Sequence, residues 1–162
     1  MLPAWGMSNA AATLVGQNLG AKELKRAEES VLKVAKYNII YMAIVTAITF
    51  LGADWLVSFF TNDPKTQEVA ITALHILATG YILYGIGMVL VSTFNGAGDT
   101  WTPTIVNFFG FWLFQIPLAY VLAKHFNMGP KGVFMAIPIA ETGIALAGYI
   151  LFKRGGWKKV KV

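Results

Sequence analysis

Cysteine is absent from the 162 residues, so the chain can build no disulfide, no thiolate nucleophile and no Cys-ligated metal centre. Histidine is almost as scarce. His75 and His125 lie in separate segments, which speaks against a zinc site, and no other metal or cofactor motif is present. Charge is the third shortage: Asp, Glu, Lys and Arg together make up 13% of the chain, against roughly 25% in a soluble domain. That is too little to cover a water-facing surface of this size. Thirteen basic against eight acidic residues leave +5 at pH 7, but the basic residues are grouped, five between Lys22 and Lys36 and five in the last ten positions. A nucleic-acid binder spreads such groups over one face to follow phosphates. Here they flank apolar blocks, so no nucleic-acid partner is expected.

What is present is long apolar sequence, at 56% of all residues. From Tyr37 to Phe60 the only charge is Asp54, from Val69 to Phe94 there is only His75, Thr104 to Ala123 has none, and Gly132 to Phe152 has only Glu141. A helix of about 20 residues crosses a hydrocarbon core of ~30 Å. The blocks are continuous and more than twice as long as barrel strands of about ten residues, so membrane-spanning helices follow. The expected class is therefore an all-α, polytopic integral membrane bundle whose first partner is the lipid bilayer. Its parts read as the end of a helix over 1–20, a connecting helix over 21–36, spans over about 37–60, 69–94, 104–123 and 132–152, and a basic tail over 153–162.

The connections carry their own signals. Asp63-Pro64 places a capping side chain before a proline suited to the first helical turn, and Thr102-Pro103 offers a similar start after Asn95-Gly96-Ala97-Gly98-Asp99. That glycine-bearing run lacks the Gly-Lys-Ser/Thr ending of a phosphate loop and reads as a tight turn. The first residues do not form a signal peptide, because their basic residues follow the apolar stretch. They resemble the second half of a helix already under way, and the chain is expected to be a piece of a longer protein.

Orientation follows from the basic flanks. Lys22, Lys25, Arg26, Lys33, Lys36, Lys153, Arg154, Lys158, Lys159 and Lys161 fall on one side, and Lys65, Lys124 and Lys131 on the other. The positive-inside rule puts the first group, the Gly96–Asp99 connection and the C-terminal tail in the cytoplasm.

Glu141 is the sharpest candidate for function. A carboxylate near the middle of a span is costly to ionise and marks a proton or cation relay, or else a neutral hydrogen-bonding link between helices. Pro138 stands one turn earlier and frees a backbone carbonyl that could coordinate a proton donor, an ion or water. Asn107 and Gln115, about two turns apart, share a face and could line a polar interior with Tyr81, Tyr84 or Tyr120; interhelical hydrogen bonding is the alternative role. His75, Asp54 and Asp99 fall towards span ends, where water is available. His75 and Glu141 are the only two groups that could pair for catalysis, and they sit at different depths, so no enzyme is expected.

Several stretches, in order and at consistent spacing, resemble the multidrug and toxic compound extrusion (MATE) family of transporters. They are Leu14-Val15-Gly16-Gln17-Asn18-Leu19-Gly20-Ala21, Phe60-Thr61-Asn62-Asp63-Pro64, Ser92-Thr93-Phe94-Asn95-Gly96-Ala97-Gly98-Asp99-Thr100 and Gly132-Val133-Phe134-Met135-Ala136. The resemblance implies the C-terminal part of a twelve-helix, two-lobe transporter in a plasma (bacterial inner) membrane. Residues 1–20 would end helix eight, the four blocks would be helices nine to twelve, and an N-terminal lobe would be the missing partner. It implies a secondary antiporter exporting drugs or other amphipathic, often cationic, organic compounds in exchange for protons or sodium ions. In several sodium-linked bacterial members the helix before the Gly-Ala-Gly-Asp-like turn carries an acidic residue. The matching position here is Tyr84, so the resemblance supplies no sodium site in this lobe, and Glu141 rests on the physics of its position alone. A lipid-linked oligosaccharide flippase of a related two-lobe family, and a non-transporting membrane subunit, are the alternatives.

Overall fold

A computed structural model describes residues 1–159. Residues 160–162, including Lys161 of the basic tail, lie outside the described residues. The chain forms α1 (Leu2–Gly20), α2 (Leu24–Ser58), α3 (Pro64–Ala78) and α4 (Tyr81–Gly96). A rod over Trp101–His125 follows, made of α5 (Trp101–Asn107), a π-helical run over Phe108–Gln115, α6 (Ile116–Tyr120) and a π-helical turn over Val121–His125. The last elements are α7 (Pro130–Arg154) and a 3₁₀ turn over Gly156–Lys159.

Three of these, α2, the rod and α7, are each long and apolar enough to cross a membrane; α3 and α4 together make a fourth crossing if the bent pair is one span. The bounds differ from the sequence reading in two informative places. The connecting helix over 21–36 and the span over 37–60 are one helix of 35 residues, because nothing between Lys36 and Tyr37 interrupts helical hydrogen bonding; the bend falls earlier, at Lys22, with φ of 61°. The block over 69–94 is not one straight helix. It breaks at Thr79-Gly80 with a 53° bend. Pro138 of α7 fills the space beside Gly80, its Cβ lying 2.7 Å from where a Gly80 Cβ would stand.

Local starts follow elementary capping. Asp63 Oδ2 accepts from the Thr66 amide at 2.9 Å, with Pro64 opening α3. At the rod it is Asp99, not Thr102, that supplies the cap: Asp99 Oδ1 accepts from the Thr102 amide at 3.0 Å, and Oδ2 from the Thr102 hydroxyl.

Packing is organised around α4, which contacts α1, α2 and α7, while the rod packs on the far side of α7. In lipid there is no hydrophobic gain from bringing helices together, so close backbone approach must do much of the holding. The buried face of α1 is accordingly small and regular: Ala4, Ser8, Ala11, Val15 and Asn18. Its crossing with α4 is closest at Gly96, where an added Cβ would overlap the Ala12 backbone. Large apolar side chains point outward instead. Ile40, Ile44, Ile48, Leu51 and Trp55 on α2 are exposed, as are Phe108, Phe109 and Trp112 on the rod, giving the bilayer its contact surface.

One end of the bundle is closed by its last elements. Gly155, in the left-handed region at φ 70°, turns the chain back, and Trp157 is wholly buried, stacked on Phe152 at 5.3 Å. Its indole donates to the Phe152 carbonyl at 3.1 Å. Beside it the Lys158 ammonium donates to Glu28 on α2 at 2.5 Å. That hydrogen bond, opposed in part by burial, holds the Glu28 carboxyl below the usual carboxylate range.

Two outcomes follow for unfolding in detergent. Gly96→Ala should destabilise by about 1–3 kcal/mol, the usual cost of forcing extra volume into a packed contact. Gly52→Ala, with open space around it, should be neutral or stabilising by up to about 1 kcal/mol. Equal effects at the two sites would contradict the tight α1–α4 crossing. The Glu28–Lys158 pair should add stability at neutral pH and lose it as pH falls through the depressed Glu28 pKa. Thermal scans between about pH 3 and pH 6 should therefore show a smaller pH dependence in Lys158→Ala than in the parent.

Candidate functional site

Four of the six candidate residues meet. Tyr81 and Tyr84 are three apart on the first turn of α4, and Pro138 and Glu141 are three apart on α7, so each pair presents one helix face. The faces meet around a cavity of about 310 Å³, also lined by Leu77, Gly80, Ile137 and Met1. Its wall includes the break between α3 and α4. Tyr84 is the ionisable neighbour within the electrostatic reach of Glu141. Both tyrosines and Glu141 are half-buried, and no lysine or arginine lines the cavity.

The break is repaired locally. Thr46 of α2 donates to the Ala78 carbonyl at 3.4 Å, and Thr79 donates to the Ile76 carbonyl at 2.6 Å, so the C-terminal end of α3 keeps partners. On α7 the Thr142 hydroxyl donates to the Pro138 carbonyl at 2.7 Å. What remains at the cavity is a carboxyl group, two phenols and an irregular stretch of backbone, a set able to exchange a proton or hold a cation against aromatic faces.

Asn107 and Gln115 are not part of this cavity. The π-helical run from Phe108 to Gln115 lies between them, and its i→i+5 bonding changes the angular step per residue, so a spacing of eight no longer means two turns. The space between the rod and α7, about 420 Å³, is lined by Phe109, Gly110, Phe114, Ile144 and other apolar residues and includes neither. Gln115 is half-buried with its Oε1 unpartnered. Tyr120 is exposed. His75 stacks flat on Phe50 at 5.2 Å, away from Glu141, with its buried Nε2 unpartnered. Among the described residues no three His, Asp or Glu side chains converge.

The residue that sequence reasoning passed over is Asn38. It is wholly buried, and its amide donates to the Ala4 carbonyl, the Ser8 hydroxyl and the Gly85 carbonyl at 3.2–3.4 Å, tying α1, α2 and α4 together. Its Oδ1 has no partner. The available signal was its spacing from Val31 and from Met42 on the same α2 face, a polar residue in register with buried apolar ones. Asn18 makes a similar junction lower down, donating to Leu14 O at 2.7 Å and reaching Ser30 Oγ at 3.5 Å.

Comparison with known proteins places this geometry. The chain is 27% identical over 162 residues to a probable multidrug resistance protein NorM of Thermotoga maritima, covering 98% of this chain and 34% of that protein. It is 26% identical over 148 residues to the FAD transporter of Shewanella oneidensis, covering 91% of this chain and 32% of the relative. It spans about a third of the length of these curated relatives. Among solved structures, a MOP superfamily transporter from Pyrococcus furiosus superposes with a TM-score of 0.89 at 25% identity, over 97% of this chain and 36% of the other. The eukaryotic MATE transporter AtDTX14 does so with 0.89 at 24% identity, over 96% and 35%. The fold is thus that of a multi-pass, all-α membrane bundle of the MATE type. Because the MatE family model also matches residues 1–121, three quarters of the sequence, the chain belongs to the MatE family.

Proposed function

We propose that the chain forms the C-terminal lobe region of a secondary antiporter that exports amphipathic or cationic organic compounds in exchange for protons or sodium ions. The observation that carries this reading is the cavity holding Glu141, Tyr81 and Tyr84 between a broken helix pair and a proline-bearing helix. Secondary transporters commonly build substrate and coupling-ion sites from discontinuous helices, because irregular backbone is tolerated only where it lines a cavity or is buried in protein. The names of the relatives, a multidrug resistance protein and a FAD transporter, support transport of organic solutes.

In this reading a second lobe outside residues 1–162 supplies the other wall of the pathway. Glu141 takes up a proton or ion in one state and releases it in the other, while the tyrosine rings receive the flat or cationic part of the substrate. Coupling is reciprocal, so substrate changes ion affinity by the factor by which the ion changes substrate affinity. A flippase for lipid-linked diphosphates would want cations in the cavity, and its lining contains none. The plasma membrane is the proposed location, with the C-terminus in the cytoplasm.

In proteoliposomes holding the complete transporter, Glu141→Gln should lower proton-driven export about tenfold, within the usual span of coupling free energies. Unchanged transport at every pH would sink the relay. Topology has its own check, since the native chain offers no cysteine background. A Thr100→Cys variant should react with an impermeant maleimide only from the cytoplasmic side, and Lys65→Cys only from the opposite side. The reverse pattern would overturn the orientation.

A further inference from the structure

Away from the Glu141 cavity, α2 and α7 both pack on α4 rather than closely on each other. The gap between them is a groove of about 390 Å³ open to the outside, floored by Ile86 and Leu90 of α4 and walled by Ile39, Ile40 and Tyr149. Phe152 stops it at one end. The walls are apolar, as a lipid-facing furrow should be. Lys36 lines the same end of the groove, and Lys153 carries its ammonium 5.9 Å from the centre of the Tyr149 ring.

The positions of these two lysines along their helices are informative. Lys36 is the last charged residue of α2 before Asp54, and Lys153 is the first charged residue of α7 after Glu141. Both therefore stand where apolar span gives way to polar surface, which is the depth of a lipid phosphate. The nearby charges are also unbalanced. Glu28 is engaged by Lys158, and Glu29 lies 4.0 Å from Lys25. Among the described residues no carboxylate is within ion-pair distance of Lys36 or Lys153.

We propose that this groove is a binding site for an anionic phospholipid, with an acyl chain lying between α2 and α7 over Ile86 and Leu90 and the phosphate held by Lys36 and Lys153. The apolar furrow alone would accept any lipid tail. Selectivity comes from two ammonium groups at headgroup depth that make no direct ion pair among the described residues, each contributing up to about a fivefold preference for a negative headgroup. Glu28, already bonded to Lys158, is the carboxylate in Coulomb reach of Lys153. The bound lipid would bridge two helices that have few direct contacts and brace the end where Trp157 and the Glu28–Lys158 pair close the bundle. The site is independent of the Glu141 reading, since it shares no residue with that cavity.

The test is native mass spectrometry of the purified complete protein, released from detergent containing phosphatidylglycerol and phosphatidylcholine in equal amounts. The parent should retain phosphatidylglycerol over phosphatidylcholine by about tenfold or more. Lys36→Ala with Lys153→Ala should abolish that preference. Replacing both by arginine should keep it, and Lys65→Ala with Lys131→Ala, at the other end of the bundle, should leave it intact. Ile40→Trp, at an exposed wall position, should displace the lipid while both lysines remain. Equal retention of the two lipids by the parent would overturn the proposal. So would a phosphatidylglycerol preference that survives both the double alanine and the tryptophan variants, or a dimer of the chain that occupies the groove and dissociates in Ile40→Trp.

Discussion

Close approach of α1 to α4 is the contact on which the rest of the bundle depends. Ala12 and Gly16 of α1 face Gly96 of α4 with no room for another carbon, and the fit is also tight where Gly85 meets Met42. Helices in lipid gain little from hiding apolar surface, so dispersion between near-touching backbones and a few hydrogen bonds must suffice. This makes α4 a fixed post. The Asn38 junction pins it to α1 and α2, and α7 is laid against its other side.

Against that fixed post the irregular features gather on one side. The α3–α4 break, Pro138 and the two π-helical stretches all lie on α3, α4, α7 or the rod, while α1 and α2 are regular. Every such departure threatens to strand a backbone group in a medium that cannot solvate it. Thr46 and Thr79 answer at the break, and i→i+5 bonds such as Phe126 N to Val121 O answer in the rod. The Glu141 cavity sits among these irregular elements, between the α3–α4 break and the proline-bearing stretch of α7.

Much of this was legible in the chain. The long apolar helices were visible as uncharged windows, and the two i,i+3 pairs, Tyr81 with Tyr84 and Pro138 with Glu141, were visible as helix faces. That the faces meet was not, because contact between α4 and α7 is a tertiary fact. The same holds for the break: Thr79-Gly80 is tolerable inside a membrane helix, and Pro138, which packs against it, comes from a distant part of the sequence. Asn38, at the head of an apolar block, carries no mark of its role in the sequence, and only Ser8 and Gly85 on other helices make it a core residue. The pairing of Asn107 with Gln115 assumed uniform α-helix, and a π-helical run of aromatic and apolar residues carries no marker that would have warned against it.

The burial of Trp157 bears on the order of assembly. Of the five tryptophans, Trp5, Trp55, Trp101 and Trp112 are exposed, and only Trp157 fills the core, between side chains of α1, α2, α4 and α7. Without it, the helices up to Arg154 leave a hole the size of an indole at one end. Voids left by removing a large aromatic side chain cost about 3–5 kcal/mol. That end of the bundle therefore reaches its packed state only when the turn after Arg154 folds back onto it.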